Sequence, residues 1–273
     1  MTEKKGITAF LVVFNEEKVI ERCLESLIDV VDEIIIIHDG HCEDKTLEIS
    51  GKYTNKIYES SHRGMGELHV IEALELCEYE WVLRIDADEY LSKELRDNIG
   101  RLIDDKYVDA YTFIWRIWDG KRYLTDNFPR KKSLCKKTKI FFIEFPGQEL
   151  QTTGNTKNTD YILEHKPLYN NYTFSSIKKK WKRWIKIHAN YYINKSKIRF
   201  FQCPINHQRK FLQNIELQAK LAHLMLCSFW FMYSFLKAFI KREYYRNIRT
   251  WKIAFYQGVY GWFLCKYISE QKK

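Results

Sequence analysis

The sequence holds no Cys-x-x-Cys pair. Its seven cysteines (Cys23, Cys42, Cys77, Cys135, Cys203, Cys227, Cys265) are scattered and odd in number, which argues against a zinc site and a disulfide framework. A signal-peptide pattern is also missing, because residues 1–6 run straight into a strand-like segment, so a reducing cytoplasm is the expected setting. Internal repeats and low-complexity tracts do not stand out. The uncharged stretch 221–236, bracketed by Lys220 and Lys237, falls short of the ~20 residues that cross a bilayer and reads as one buried or in-plane helix. Acidic residues are scarce in the last third. Residues 178–273 carry 21 of the 45 Lys+Arg but 3 of the 35 Asp+Glu, leaving 24 basic and 32 acidic residues in 1–177. An acidic front and a very basic back imply two regions facing different partners.

What is present points to a folded protein. Apolar residues make up 45% of the 273, with 18 Tyr, 17 Phe and 8 Trp. Residues 7–13, 33–38, 56–58 and 80–85 are strand-like, and most are apolar throughout. Between them lie helical patterns, the first with Val19, Ile20, Cys23, Leu24 and Leu27 on one face, then 45–52 and 67–77. Such alternation predicts a parallel sheet covered on both faces, with ligands at the carboxyl ends of its strands. Three polar clusters occupy those ends: 15–17, 39–44 and 86–89. Beyond them, 108–118 is β-rich, Asp119-Gly120 signals a hairpin turn, 140–143 is strand-like and 145–149 a loop.

Asp86 and Asp88, at i and i+2 where a buried strand ends, carry the most information. Two carboxylates brought together there want a cation, and hard oxygen ligands with few other protein groups suit Mg²⁺ or Mn²⁺ shared with a phosphate-bearing substrate. The alternative is an acidic turn capping the helix that starts near Ser92.

The ordered segments Phe14-Asn15-Glu16-Glu17, Asp39-Gly40-His41-Cys42-Glu43-Asp44-Lys45-Thr46 and Asp86-Ala87-Asp88-Glu89 resemble the family 2 glycosyltransferases, most of all the bacterial branch that adds sugars to lipopolysaccharide cores. The resemblance implies an α/β GT-A fold with a mostly parallel central sheet. It places a catalytic domain at 1–170, split into a nucleotide-sugar half (1–107) and an acceptor half (108–170), before a basic, aromatic-rich helical tail at 171–273. It implies an inverting, metal-dependent enzyme that moves a sugar from a nucleotide-diphospho-sugar to a glycan or lipid-linked acceptor, using Mn²⁺ or Mg²⁺. By the same resemblance Phe14, Asn15 and Glu17 lie against the nucleoside and Asp39 reads its base. Asp88 is the direct metal ligand, Asp86 reaches ribose or metal, and His165 approaches the metal or diphosphate. Glu149, in Pro146-Gly147-Gln148-Glu149-Leu150, is the expected catalytic base, with Gln148 where relatives carry His. Asp44 is either a ligand contact or a helix N-cap. Arg130, Lys131 and Lys132 are expected to steady phosphate charge or to form a solvated basic loop. Val70-Ile71 stand where relatives often carry Arg-Asn, so Arg63 or His69 is expected to supply that polar contact.

The loop 14–17 contains no glycine, which argues against a sugar nucleotidyltransferase with its Gly-rich phosphate loop. A non-catalytic adaptor would not need Asp39, Asp86 and Asp88 at strand ends. In the tail, Phe174, Ile177, Trp181, Trp184, Ile185 and Tyr192 trace one helical stripe with Lys and Arg largely elsewhere. That pattern predicts a peripheral contact with an anionic membrane at its cytoplasmic face, the alternative being a helical bundle that packs on the catalytic half and leaves its lysines in water. Nucleic acid is not the expected partner: no nucleic-acid motif is present and the acidic front repels a polyanion.

Overall fold

The computed structural model describes residues 4–271 except Met225. The chain divides into two compact units, 1–169 and 170–273.

The first unit is built on one eight-stranded sheet. Its early elements alternate: β1 (Lys4–Val13), α1 (Ile20–Leu27), β2 (Glu33–Asp39), α2 (Thr46–Ser50), β3 (Ile57–Ser60), α3 (Val70–Leu76) and β4 (Tyr79–Arg84). The later ones are β5 (Glu89–Leu91), α4 (Lys93–Leu102), β6 (Ala110–Ile114), β7 (Arg130–Lys136), β8 (Ile140–Ile143), β9 (Gln151–Thr152) and β10 (Thr156–His165). The strand order is β3-β2-β1-β4-β7-β6-β10-β5. The first four strands are mutually parallel, β7 runs antiparallel to both its neighbours, and β10 is parallel to β6 but antiparallel to β5. β2 is buried at every position, as an apolar strand with both faces covered must be. Ile20, Cys23, Leu24 and Leu27 of α1 are buried in the same core cluster as Ile7, Ala9 and Leu11 of β1, which is the stripe the spacing predicts.

The helix expected at 67–77 begins as a 3-10 turn (Gly66–His69) before α3. The expected hairpin survives only as a tight loop, with Trp118 bridged to Tyr123 and the Leu124 N–H donating to the Ile117 carbonyl at 2.7 Å.

The second unit is helical: α5 (Phe174–Ile193), α6 (Ile205–His223), α7 (Cys227–Lys241) and α8 (Trp251–Glu270). Thr173 caps α5, its hydroxyl accepting from the Ser176 N–H at 3.1 Å. The single helix expected over 221–236 does not exist: α6 ends at His223 and α7 starts at Cys227. α8 approaches α7 closely at Gly261, where a Cβ would lie 2.9 Å from the Trp230 carbonyl oxygen. Among the described residues no helix is long and apolar enough to cross a membrane.

Candidate functional site

Because β2, β1 and β4 are adjacent and parallel, their carboxyl ends lie along one edge. That edge gathers the three polar clusters. At the end of β1, Asn15 takes a left-handed φ of 53° and its N–H donates to His38 Nε2 at 3.2 Å. His38 Nδ1 lies 2.7 Å from the Gly40 carbonyl, so the ring's partners require the Nδ1–H tautomer. Phe14, 39% exposed, stands 5.8 Å from the His38 ring and 5.2 Å from His62, forming an aromatic wall at the strand end.

The side chains of Asn15 and Glu17 turn to the chain itself. Asn15 Oδ1 accepts from the Glu43 N–H (3.0 Å) and Glu17 Oε2 from the Lys45 N–H (3.2 Å). Asp44 is not the N-cap of α2, a place taken by Lys45; its carboxylate accepts from the N–H groups of Thr46 and Glu17 instead. These bonds sew 15–17 to 43–46.

Asp39 is 4% exposed and organises the loop after β3. Its Oδ1 accepts from the Arg63 N–H (2.5 Å) and faces His69 Nε2 (2.9 Å), while Oδ2 accepts from the Gly64 N–H (2.8 Å). Gly40, at φ +93°, lets the chain turn here, since a Cβ would press to 2.8 Å from His62 Cβ. Burial works to raise the Asp39 pKa, but the bonds from His69 and the Arg63 N–H prevail and hold it below its ordinary value. A carboxylate with a depressed folded pKa contributes stability above its unfolded pKa and loses it as pH falls through the folded one. Asp39→Asn should therefore flatten the acid limb of a stability–pH curve below about pH 4. An acid limb identical to the wild type's would remove Asp39 from this role.

Arg63 does not reach toward a ligand. Its guanidinium donates to the Leu68 carbonyl and lies 3.3 Å from Glu144. His69 is spent on Asp39 and Glu72. Arg130 is likewise tied elsewhere, to the Thr159 carbonyl and, at 3.1 Å, to Asp160. Strand alternation explains the exchange: neighbouring residues of β7 point to opposite faces, so Arg130 leaves the site and Lys131 enters it.

Lys131 Nζ sits 2.7 Å from Asp86 Oδ2 and 2.7 Å from both oxygens of Glu89. Its side chain is 15% exposed and that of Glu89 fully buried, whereas Asp86 is 49% exposed. Glu89 also accepts from the Trp115 indole N–H (2.5 Å) and the Asp86 N–H (2.9 Å). Burial raises the Glu89 pKa against the pull of Lys131. Burial works against ionised Asp86 too, but Lys131 and Arg84 prevail and lower it. The ammonium itself is held above its usual range, burial notwithstanding, by Asp86 and Glu89. Trp115 and Arg84 are the residues that the sequence left without a role in this cluster, and Lys131, expected beside phosphate, pairs here with Asp86 and Glu89.

One carboxylate oxygen of Asp86 is thus committed to Lys131. Asp88 is 27% exposed, and its Oδ2 faces His165 Nε2 at 3.4 Å, longer than a charge-assisted hydrogen bond. The His165 ring stacks on Trp115, centroids 4.1 Å apart. Among the described residues no three His, Cys, Asp or Glu side chains are grouped to hold a metal. Asp88 and His165 are donors of the kind that a divalent ion shared with substrate phosphates and water could take, not an all-protein cage. His165 Nδ1, buried and unpartnered, lacks the supporting acceptor that metal-bound histidines usually have.

The 145–149 loop turns at Pro146-Gly147, where the Gln148 N–H donates to the Phe145 carbonyl at 3.2 Å. Arg84 Nη1, at the end of β4, lies 3.4 Å from the Gln148 carbonyl, which brings Glu149's loop to the edge that carries Asp86. Leu150 is buried and anchors it, and Glu149 is half-buried.

A sequence model of glycosyl transferase family 2 matches residues 8–270. An uncharacterized glycosyltransferase of Rickettsia bellii (strain RML369-C) is 36% identical over 108 residues, 39% of this chain and 36% of its own length. The lipopolysaccharide core biosynthesis glycosyltransferase LpsC of Rhizobium meliloti (strain 1021) is 33% identical over 147 residues, 49% of this chain and 51% of that protein. The chain thus matches between about a third and a half of the length of these relatives. Among solved structures, Staphylococcus aureus TarS 1–349 aligns over 97% of this chain and 90% of its own, at 14% identity and a TM-score of 0.44. Glucosyl-3-phosphoglycerate synthase from Mycobacterium tuberculosis, solved with Mn²⁺, uridine-diphosphate and glucosyl-3-phosphoglycerate, aligns over 67% of this chain and 78% of its own, at 13% identity and a TM-score of 0.45.

Proposed function

Because the chain belongs to glycosyl transferase family 2 and has the GT-A fold, we propose that it transfers a sugar, with inversion, from a nucleotide-diphospho-sugar to a glycan or lipid-linked acceptor of the cell envelope. The observation that carries this reading is the meeting of Phe14, Asp39, Asp86 and Asp88 at the ends of three adjacent parallel strands. Phe14 offers an apolar wall for a base, and Asp39 shapes the floor beside it. Asp39 acts on the nucleotide through the 61–69 loop that it holds, and Arg63 supports that loop instead of touching the donor. Asp88 and His165 would hold Mn²⁺ or Mg²⁺, which when bound supplies charge neutralisation for the departing nucleoside diphosphate. Lys131 keeps Asp86 ionised and in place. Glu149 takes the proton of the acceptor hydroxyl as the new glycosidic bond forms. The enzyme works as a peripheral protein at the inner face of the membrane, where a lipid-linked acceptor is presented.

The test is hydrolysis and transfer with a panel of UDP-, GDP- and ADP-sugars in Mn²⁺, which also identifies the donor. Turnover of one nucleotide class supports the reading, and neither binding nor turnover of any of them sinks it. For the metal, Asp88→Asn should weaken Mn²⁺ binding, read by calorimetry with nucleoside diphosphate present, by at least the ~10–100-fold typical of changes near a metal site. EDTA should abolish wild-type transfer and added Mn²⁺ restore it; full activity in EDTA would remove the metal role.

A further inference from the structure

Five large apolar side chains of α7 face water: Phe229 (52% exposed), Met232 (49%), Tyr233 (43%), Leu236 (44%) and Ile240 (64%). At helical spacing they fall within an arc of about 100°, a full amphipathic face. The opposite side of α7 is already used. Trp230 is buried, and Phe231 and Phe239 meet Phe255 and Trp251 of α8 at 5.7 and 5.5 Å. Past the end of α7, Ile248 is exposed as well (77%). A soluble surface seldom keeps so contiguous an apolar patch without a partner.

The charge around it selects the partner. Between residues 226 and 252 there are six basic residues (Lys237, Lys241, Arg242, Arg246, Arg249, Lys252) and one acidic, Glu243, which lies 3.2 Å from Arg246. The Lys237 ammonium stands 5.7 Å from the Tyr233 ring, so a long basic side chain runs beside the apolar stripe with its charge at the margin. An excess of basic over acidic residues along this segment disfavours a second copy of the same face and favours phosphate headgroups.

We propose that this face of α7, with the turn into α8, is the surface that docks on an anionic lipid bilayer, the helix lying in the interface and not crossing it. This deepens the peripheral-membrane reading above and relocates it. In α5, the expected membrane helix, Trp181 is buried 5.9 Å from Tyr260 and 6.2 Å from Phe263, so the middle of its apolar stripe packs on α8, while Phe174 at its start stays 55% exposed.

The experiment is sedimentation of the full chain with phosphatidylcholine vesicles, with and without phosphatidylglycerol, across salt. Wild type should prefer the anionic vesicles. The Leu236→Glu/Ile240→Glu variant should partition about tenfold or more less well, since two apolar anchors become charges. Arg249→Gln/Lys252→Gln should bind less and with a shallower salt dependence. Circular dichroism and nucleoside diphosphate calorimetry on the same preparations report fold and donor site. Equal binding to neutral vesicles overturns the proposal, as does an apolar variant that pellets like wild type. A concentration-dependent dimer in sedimentation velocity that this variant disperses also overturns it, by making the face a contact between copies. Vesicle binding without any nucleotide binding supports the docking face while sinking the donor reading.

Discussion

Glu149→Gln should slow sugar transfer by about 10²–10⁴-fold, the range for loss of a general base, while leaving donor affinity nearly unchanged. The substitution keeps the side chain's shape and removes its basicity. Glu149 is two residues past Gly147 in a turn, half-buried, and followed by buried Leu150. The Arg84 guanidinium, 3.4 Å from the Gln148 carbonyl, ties that turn to the strand end carrying Asp86. Glutamine, not histidine, precedes Glu149 in the chain. The measurement is the split between kcat and the donor KM, together with the pH profile, whose acid limb should vanish in the variant. A loss below tenfold, or one confined to donor KM, moves the base to another carboxylate.

The second large effect is on stability. Lys131→Met should cost about 3–5 kcal/mol of unfolding free energy, the scale for stripping one partner from a buried ion pair. Most of that loss belongs to Glu89, whose side chain is fully buried and would retain only the Trp115 and Asp86 N–H donors. Asp86 adds little, since its half-exposed carboxylate is served by water. Adding Glu89→Gln to Lys131→Met should recover part of the loss, because no uncompensated buried charge then remains. Urea midpoints of the two variants check this. A loss under about 1 kcal/mol in Lys131→Met would mean that water already serves the Glu89 carboxylate.

The strand ends were legible because a parallel sheet announces itself locally. Apolar runs stop at Asn15, Asp39 and Asp86, and alternation with helices forces those stops onto one edge. Which of Arg130, Lys131 and Lys132 reaches the aspartates depends on the phase of β7, a register that only the paired strands define, and it is Lys131. The partners of Arg63 and Arg130 lie 81 and 30 positions away in the chain, beyond any local pattern. The same holds for the tail. α5 carries one apolar stripe and α7 is apolar on both sides, and only packing against α8 decides which apolar face is left to the water.

The pairing of β5 with β10 bears on how the chain comes to fold as it is made. His165 stands opposite Glu89 in that ladder, and the Lys166 N–H donates to the Asp88 carbonyl at 2.9 Å. The segment with the two aspartates is therefore stitched to residues that leave the ribosome more than seventy positions later. A nascent chain released only to residue 107 has its apolar strands, but Glu89 still awaits Trp115 and Lys131. A chain ending at 107 is expected to be less stable than the whole sheet domain, since it lacks these partners. The Asp86–Glu89 segment therefore joins the early strands to β7 and β10, and its full set of partners forms only when both halves of the sheet are present.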